Sequence, residues 1–245
     1  MKPFLRNAFF VVIIAFALVG CNANERFKLT SSTVGTFATA TATVHEKNGH
    51  YTIDIRITTQ GMYNLVKGKR IEHYRSTGRV RHGLYISQRL MIERYTRTLH
   101  SINEYLLDHK RKKIVRHYRE WHGKKLTKES TVTMDHYGTN DYLTLFHNIQ
   151  KSNIKKHKSG STYVVAASEE THGKVHTYYS RDPRELRRWG GDPKGTLLQM
   201  GIHKGIFEKG RGSFTLLLDR NNRMIKFIMS PVKLGGTVTG LPLRK

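Results

Sequence analysis

Asn48 and Gly49 lie at the centre of a stretch in which apolar and polar residues alternate. Asn-Gly is typical of a two-residue β-hairpin turn, because both residues tolerate positive φ angles. Folding the chain at this point predicts an antiparallel strand pair with one buried face. Its alanines would lie opposite isoleucines, which indicates that a bulky group crosses this face. The predicted apolar face consists of Ala40, Ala42, Val44, Ile53, Ile55 and Ile57.

A second hairpin is predicted around Asn221-Asn222. Its expected pairs are Leu218 with Ile225, Leu216 with Phe227, and Phe214 with Met229. The opposite face of this hairpin also carries apolar residues, more than a solvated hairpin needs. A third turn, at His172-Gly173, is expected to join residues 162–168 to residues 175–180.

Further segments rich in Tyr, Ile and Val are predicted as strands, namely 71–80, 84–95, 101–107 and 113–121. Turn signals recur about every ten residues, which is typical of a barrel, a half-barrel or a sandwich. Helical spacing occurs in 140–149, behind Thr139-Asn140 as the capping pair. A second short helix is expected to begin at Asp182-Pro183. The predicted fold is mainly β: a curved antiparallel sheet, half-barrel or barrel-like, with one or two short helices.

The N-terminal residues resemble a bacterial lipoprotein signal. A segment with Lys2 and Arg6 precedes an apolar run over 8–19, too short to span a bilayer but suited to a secretory signal. The tetrad Leu18-Val19-Gly20-Cys21 resembles a lipobox, which implies acylation of Cys21 and a membrane anchor. The alternative is an ordinary signal peptide with an incidental thiol. The expected organisation is a signal peptide over 1–20, a flexible tether over 21–36 and one β-rich domain over 37–245.

This resemblance also implies a location in the cell envelope. The anchored domain would face the periplasm, and Asn22 after the cysteine favours the outer membrane over the inner membrane by the enterobacterial sorting rule. The single cysteine excludes an internal disulfide, an iron–sulfur cluster and a multi-cysteine zinc site. The formal charge of +25 favours an anionic surface or polymer as a neighbour.

The central part of the chain resembles a known family. The resemblance rests on residues 78–85 (GRVRHGLY), 104–108 (EYLLD), 140–148 (NDYLTLFHN) and 235–240 (GGTVTG), and it spans about residues 38 to 242. Together these segments resemble the bacterial domain-of-unknown-function family 3108, whose members are exported β-rich proteins. The resemblance implies a curved sheet with a helix packed inside, as in periplasmic lipoprotein carriers, and it implies no activity.

A run of basic residues over 110–125 contains one acid, Glu120, and includes Tyr118 and Trp121. Export argues against nucleic acid as its partner. Lipid headgroups or another anionic envelope component are the expected partners, with a plain solvated hairpin as the alternative. The candidate anion-binding residues are Lys110, Arg111, Lys112, Lys113, Arg116 and Arg119.

The sequence contains no Gly-x-Ser-x-Gly and no His-Glu-x-x-His motif. Of the histidine pairs, His117 and His122 would point to opposite faces of a strand, and His172 falls at a turn before His176. We therefore predict no catalytic residue, no metal site and no cofactor.

Two functional hypotheses follow. The first is a binding or carrier domain for an apolar or amphipathic, lipid-like ligand. The second is a structural or assembly lipoprotein that docks through its basic face on an anionic envelope partner, and an enzyme of unrecognised type is a third. The candidate ligand-contacting residues are Ala40, Ala42, Val44, Ile53, Ile55, Ile57, Phe214, Leu216 and Phe227.

Overall fold

The structure is a computed structural model that describes residues 25–151, 160–166, 172–203, 211–232 and 236–243. It contains one antiparallel sheet of fourteen strands and three short helices. The strands are β1 Glu25–Ser31, β2 Gly35–Lys47, β3 His50–Thr59, β4 Ile71–Arg81, β5 Leu84–Tyr95, β6 Leu99–Asp108, β7 Lys113–His122, β8 Lys125–Thr133, β9 Ser161–Val164, β10 Lys174–Ser180, β11 Thr196–His203, β12 Arg211–Leu218, β13 Met224–Val232 and β14 Gly236–Pro242. The helices are α1 Met62–Lys67, α2 Tyr142–Lys151 and α3 Pro183–Arg188.

The strand order is β8-β7-β6-β5-β4-β3-β2-β1-β14-β13-β12-β11-β10-β9. Strands that follow one another in the chain therefore lie side by side in the sheet, except β8 and β9, which form its two edges. The pairing of β1 with β14 joins the two halves of the sheet. The prediction of a mainly β, curved antiparallel fold is confirmed, as an open sheet that does not close into a barrel. No described helix has the length and hydrophobicity needed to cross a membrane.

The hairpin at Asn48-Gly49 has the predicted register. Ala40 pairs with Ile57, Ala42 with Ile55, and Val44 with Ile53. Asn48 and Gly49 have φ angles of 52° and 70°, as the turn requires. Alternation of apolar and polar residues was therefore sufficient to predict this strand pair.

The second hairpin differs from the prediction at its tip. Leu216 pairs with Phe227 and Phe214 with Met229 as expected, but a bulge pairs Leu218 with Met224 instead of Ile225. The cause is Asp219, whose amide donates to the Arg223 carbonyl (2.8 Å) and whose carboxylate accepts from the Arg223 amide (2.9 Å). The turn therefore spans more than Asn221-Asn222.

The turn at His172-Gly173 precedes β10, and Lys174 pairs with Val164 of β9. The strand predicted over 162–168 ends at Val164 in the structure, and residues 167–171 lie outside the described part. Five elements were not predicted at all, namely α1, β1, β8, β11 and β14.

The expected tether over 21–36 is wrong for residues 25–31. These residues form β1, which pairs with β2 on one side and with β14 on the other. Phe27 and Leu29 are fully buried, so this segment belongs to the core. Residues 1–24, with the expected signal peptide and Cys21, lie outside the described residues.

Helix α2 packs against one face of the sheet, called the inner face below, and lies in the predicted helical region. Its cap is Asp141 and not the predicted Thr139-Asn140 pair: the Asp141 carboxylate accepts from the Thr144 amide (2.9 Å). The apolar core joins this helix to both halves of the sheet. Its largest fully buried side chains are Phe27, Leu29, Phe37, Tyr74, Tyr85, Phe146, Phe214 and Phe227.

Asp141 also fastens the helix to the sheet. Its Oδ2 accepts from the hydroxyls of Ser76 on β4 (2.5 Å) and Ser87 on β5 (2.6 Å). The side chain is fully buried. Burial raises the pKa of this carboxyl above its usual value, although the hydrogen bonds from Ser76 and Ser87 oppose that shift.

Helix α3 explains the extra apolar residues of the second hairpin. It begins after Asp182, as predicted, whose carboxylate accepts from the Arg184 amide (2.9 Å). On the outer face of β11–β13, Leu186 of α3 packs with buried Leu197, Leu217 and Ile228. The helix thus covers an apolar patch that would otherwise face solvent.

Candidate functional site

The candidate ligand-contacting residues lie together on the inner face, but they form part of the core. Phe214 contacts Phe146 of α2 edge-on, with ring centroids 5.5 Å apart, and packs on Phe227 at 5.6 Å. Val44 is partly buried against this core. The remaining eight are at most 2% exposed: Ala40, Ala42, Ile53, Ile55, Ile57, Phe214, Leu216 and Phe227.

We therefore expect Ala42→Trp to lower the free energy of unfolding by about 2 kcal/mol or more, because a large ring must be fitted into a packed core. The control is Thr41→Trp, at an exposed position of the same strand. Its effect should stay below roughly 1 kcal/mol. Urea denaturation measures both. A stable Ala42→Trp variant would mean that the inner face holds space for a ligand.

The candidate anion-binding residues do not form one surface. Lys110, Arg111, Lys112 and Lys113 are exposed at the β6–β7 turn. Arg116 is half-buried on the inner face, where its Nε donates to Asn103 (2.8 Å) and its guanidinium lies 5.4 Å from the Tyr118 ring centroid. Arg119 lies on the outer face, over the ring of Trp121 at 5.8 Å.

One of these residues, Lys110, lines a pocket at the point where the sheet splits. Strand β5 pairs with β6 only from Arg89 to Tyr95. In the first half of β5, the Ser87 amide donates to the Thr139 carbonyl (3.1 Å), so the segment after β8 takes the place of β6 beside β5. The open pocket beside this split has a volume of about 730 Å³. It is lined by Arg79, Arg81, Ile86, Gln88, Leu107, Asp108, His109, Lys110, Tyr137 and Thr139.

The pocket combines cationic and apolar groups. Arg79, Arg81 and Lys110 are exposed cations, whereas Ile86 and Leu107 supply apolar surface. The pocket also contains one acid, Asp108, whose carboxylate accepts from the Arg111 amide (2.9 Å). That bond holds the pKa of Asp108 below its usual value. The pocket is therefore suited to a ligand with an anionic group and a small apolar part.

His109 fixes one wall of the pocket. Its Nε2 lies 2.6 Å from the Ser87 carbonyl oxygen, which can only accept, so Nε2 carries a hydrogen. Its Nδ1 lies 2.7 Å from the Tyr137 hydroxyl, which donates to it when the imidazole is neutral. Burial, helped by Asp108, raises the pKa of Tyr137, so this phenol stays neutral and available for hydrogen bonding.

A buried charge cluster lies elsewhere on the inner face. Glu72 of β4 is 1% exposed and forms an ion pair with Arg70. The Tyr74 hydroxyl donates to the same carboxylate, and Arg94 Nε lies 3.7 Å from it. One carboxylate thus lies between two largely buried guanidinium groups.

The paired histidines considered from the sequence have separate partners. His117 bonds to Thr131 and His176 to Thr162, each at 2.9 Å. His122 lies 3.7 Å from Glu120, and His172 bonds to Asp135 (2.5 Å). Within the described ranges, no three His, Cys, Asp or Glu side chains are grouped so that they could hold a metal ion.

The sequence analysis missed Arg79 and Arg81 as site residues. They belong to the segment 78–85 that carried the family resemblance, and their signal is an Arg-x-Arg pattern beside the His82-Gly83 turn. On a strand this spacing places both guanidinium groups on one face. The candidate lipidation residue, Cys21, lies outside the described residues.

Neither a protein-family model nor a curated protein sequence matches the chain. The fold is similar to the crystal structure of a beta-barrel-like protein of domain of unknown function DUF1849 from Brucella abortus. The TM-score is 0.50 at 12% sequence identity, and the similarity covers 91% of this chain and 98% of that chain. At this identity the likeness shows the fold alone, a β-barrel-like domain. The resemblances to family 3108 and to the lipobox remain predictions.

Proposed function

We propose that this protein is a non-catalytic cell-envelope lipoprotein that binds an anionic, amphipathic, lipid-like ligand. The observation that carries this proposal is the pocket where β5 leaves β6, in which Arg79, Arg81 and Lys110 lie beside Ile86 and Leu107. A phosphate or carboxylate headgroup would contact the cations and the adjoining alkyl carbons would contact the apolar side chains. The proposal moves the ligand away from the filled inner face and requires no nucleic acid, metal or cofactor.

The direction of β1 supports a ligand from a membrane surface. The turns at Asn48-Gly49, His82-Gly83 and 110–112 lie at one end of the sheet, called the pocket end below. Strand β1 runs away from that end, so Glu25 is directed towards it. Three residues separate Glu25 from Cys21 and span at most about 14 Å. An acyl group on Cys21 would therefore hold the pocket end near lipid headgroups, and we place the protein on the periplasmic side of the outer membrane.

The alternative function is docking on an anionic envelope partner through the β6–β7 turn. The observation that favours it is the exposure of Arg111, Lys112 and Lys113 beside the pocket. This turn offers cations without an apolar wall, so it would attract an anionic surface without selecting an amphipathic ligand. The two functions are therefore separable by charge reversal in the pocket and in the turn.

The pocket is tested with two double variants of equal charge change, Arg79→Glu/Arg81→Glu in the pocket and Arg111→Glu/Lys113→Glu in the turn. The probe is dihexanoyl phosphatidylglycerol below its micelle concentration, titrated calorimetrically, with dihexanoyl phosphatidylcholine as the neutral comparison. We expect the pocket variant to bind at least about tenfold more weakly, since each basic side chain contributes up to ~1 kcal/mol. The turn variant should change the affinity less than about threefold.

The result that contradicts pocket binding is equal weakening in the two variants, which would assign the interaction to general charge and favour docking through the turn. Absence of binding by the unaltered protein would reject the lipid-like ligand itself. All four substituted residues are exposed, so circular dichroism should show an unchanged fold in both variants.

A further inference from the structure

The two most exposed large apolar side chains, Met62 and Leu65, lie at the end of the sheet opposite the pocket. The turns at 32–34, 60–70, 96–98 and 123–124 meet there, because Thr58 pairs with Ile71, Ile71 with Tyr95, and Tyr95 with His100. We call these turns and the strand ends beside them the tip end. Its large exposed apolar residues are Val34 (43%), Met62 (62%), Leu65 (79%), Tyr95 (39%) and Leu126 (44%).

Met62 and Leu65 protrude furthest. Both belong to α1, a helix of six residues that projects between β3 and β4. Exposing two large apolar side chains on one short helix is unfavourable in water, so this helix indicates an interaction site. Because Met62 and Leu65 protrude and do not line a groove, they are better suited to insertion into a lipid bilayer than to contact with a rigid protein surface.

An aromatic row continues the tip end across the outer face. Tyr95 stacks on His100 with ring centroids 4.3 Å apart, and His100 stacks on Trp121 at 4.8 Å. Trp121 pairs in register with Leu126 at the start of β8. Tyr and Trp with one apolar and one polar side are the residues preferred at a membrane–water interface.

The turns of the tip end carry basic residues and no acid. Among the acids of the adjoining strands, Glu93 accepts from the Tyr95 hydroxyl and Glu120 lies 3.7 Å from His122. Segments 32–34, 60–70, 96–98 and 122–125 contain no Asp or Glu. The exposed cations among them are Lys69, Arg97, Lys124 and Lys125. Basic side chains around protruding apolar residues match the phosphates and acyl chains of an anionic bilayer.

We propose that the tip end docks on an anionic lipid bilayer, with Met62 and Leu65 inserted below the headgroups and the surrounding cations on the phosphates. This contact is separate from the pocket, which lies at the other end of strands about 33 Å long at ten residues each. Because an acyl group on Cys21 would hold the pocket end at its own membrane, the tip end would contact a second bilayer that faces the first. This contact does not depend on the proposed ligand of the pocket.

The test uses sedimentation of the full chain carrying Cys21→Ser in every variant, so that no acyl anchor contributes, with vesicles of phosphatidylglycerol and, as the neutral comparison, of phosphatidylcholine. Met62→Ser/Leu65→Ser should bind the anionic vesicles at least about tenfold more weakly than the unaltered protein, because two apolar side chains no longer insert. The matched control is Leu84→Ser/Leu106→Ser, which changes two leucines that are 38% and 39% exposed and lie away from the tip end. This control should bind the anionic vesicles like the unaltered protein.

Insertion is measured directly with Leu65→Trp, and with Leu84→Trp as the comparison, both in a background of Trp121→Phe/Trp189→Phe, so that the introduced residue is the single tryptophan. The fluorescence of Leu65→Trp should shift to shorter wavelength on anionic vesicles and be quenched by brominated acyl chains, whereas Leu84→Trp should show neither change. Equal vesicle binding by the tip variant and the unaltered protein, or an equal loss in the Leu84→Ser/Leu106→Ser control, would overturn the proposal.

The same variants separate this proposal from that of the pocket. The tip variant should still bind soluble dihexanoyl phosphatidylglycerol. When Arg79→Glu/Arg81→Glu is combined with Leu65→Trp, the fluorescence shift and the quenching on anionic vesicles should persist. Loss of vesicle binding only in the pocket variant would assign the bilayer contact to the pocket end and reject the tip end.

Discussion

Asp141→Ala should lower the free energy of unfolding by roughly 3–5 kcal/mol. Alanine leaves the hydroxyls of Ser76 and Ser87 and the amide of Thr144 without their buried acceptor. These bonds join α2 to two strands, so their loss also loosens the helix from the inner face. Urea denaturation followed by circular dichroism measures the change.

Asp141→Asn is the matched control, because the amide keeps an oxygen for the Thr144 amide and fits the same space. The decrease in the free energy of unfolding should be below about half of that caused by Asp141→Ala. Because burial raises the pKa of Asp141, the folded protein keeps a proton that the unfolded chain releases near pH 3.8. The stability contributed by this proton is present below that pH and is lost as the pH rises through the folded pKa. The unaltered protein should therefore lose stability relative to Asp141→Asn over this rise, and parallel pH profiles would contradict the assignment.

The second large effect is expected at Glu72. Glu72→Ala should lower the free energy of unfolding by roughly 3–5 kcal/mol, because it leaves the buried guanidinium groups of Arg70 and Arg94 without their counter-charge. The Tyr74 hydroxyl loses its acceptor in the same step. Thermal and urea denaturation of the variant measure this effect.

Glu104→Ala removes a carboxylate of the same type from an ion pair on the exposed surface. Arg89, its partner at 2.5 Å, has a half-exposed side chain, so this loss should be below about 1 kcal/mol. Similar losses in the two variants would mean that the Glu72 carboxylate contributes no more than a surface ion pair. Glu72→Gln should fall between them, since it keeps the shape and a carbonyl acceptor but not the charge.

Local patterns predicted the hairpins well because a period of two assigns every side chain to a face. Ala42 opposite Ile55 and Leu216 opposite Phe227 follow from alternation around a turn, without knowledge of the rest of the fold. The same reasoning failed for β1. Its two buried apolar residues, Phe27 and Leu29, form a short pattern, and half of their pairing comes from β14, about 200 residues further along the chain.

The pocket could not be predicted in the same way, because it lies where β5 and β6 do not pair with each other. The sequence of β5 reads as one strand, and its separation from β6 depends on the loop after β8 bonding to Ser87. Arg79 and Arg81 look like ordinary exposed strand residues until that loop is in place. The basic run over 110–125 was recognised by its charge, yet only Lys110 of its six candidate residues reaches the pocket.

The pairing of β1 with β14 makes the two ends of the described chain the seam between the two halves of the sheet. Leu29 of β1 lies opposite Gly240 of β14, and β1 and β14 supply the only sheet neighbours that connect β2–β8 to β9–β13 in the described strand order. A growing chain therefore cannot join its halves until the last strand has emerged, and the loop that it must close is nearly the whole domain. For the cell-envelope location that we propose, this order would delay the finished fold until after translocation, when a partly built sheet could no longer obstruct passage through a membrane.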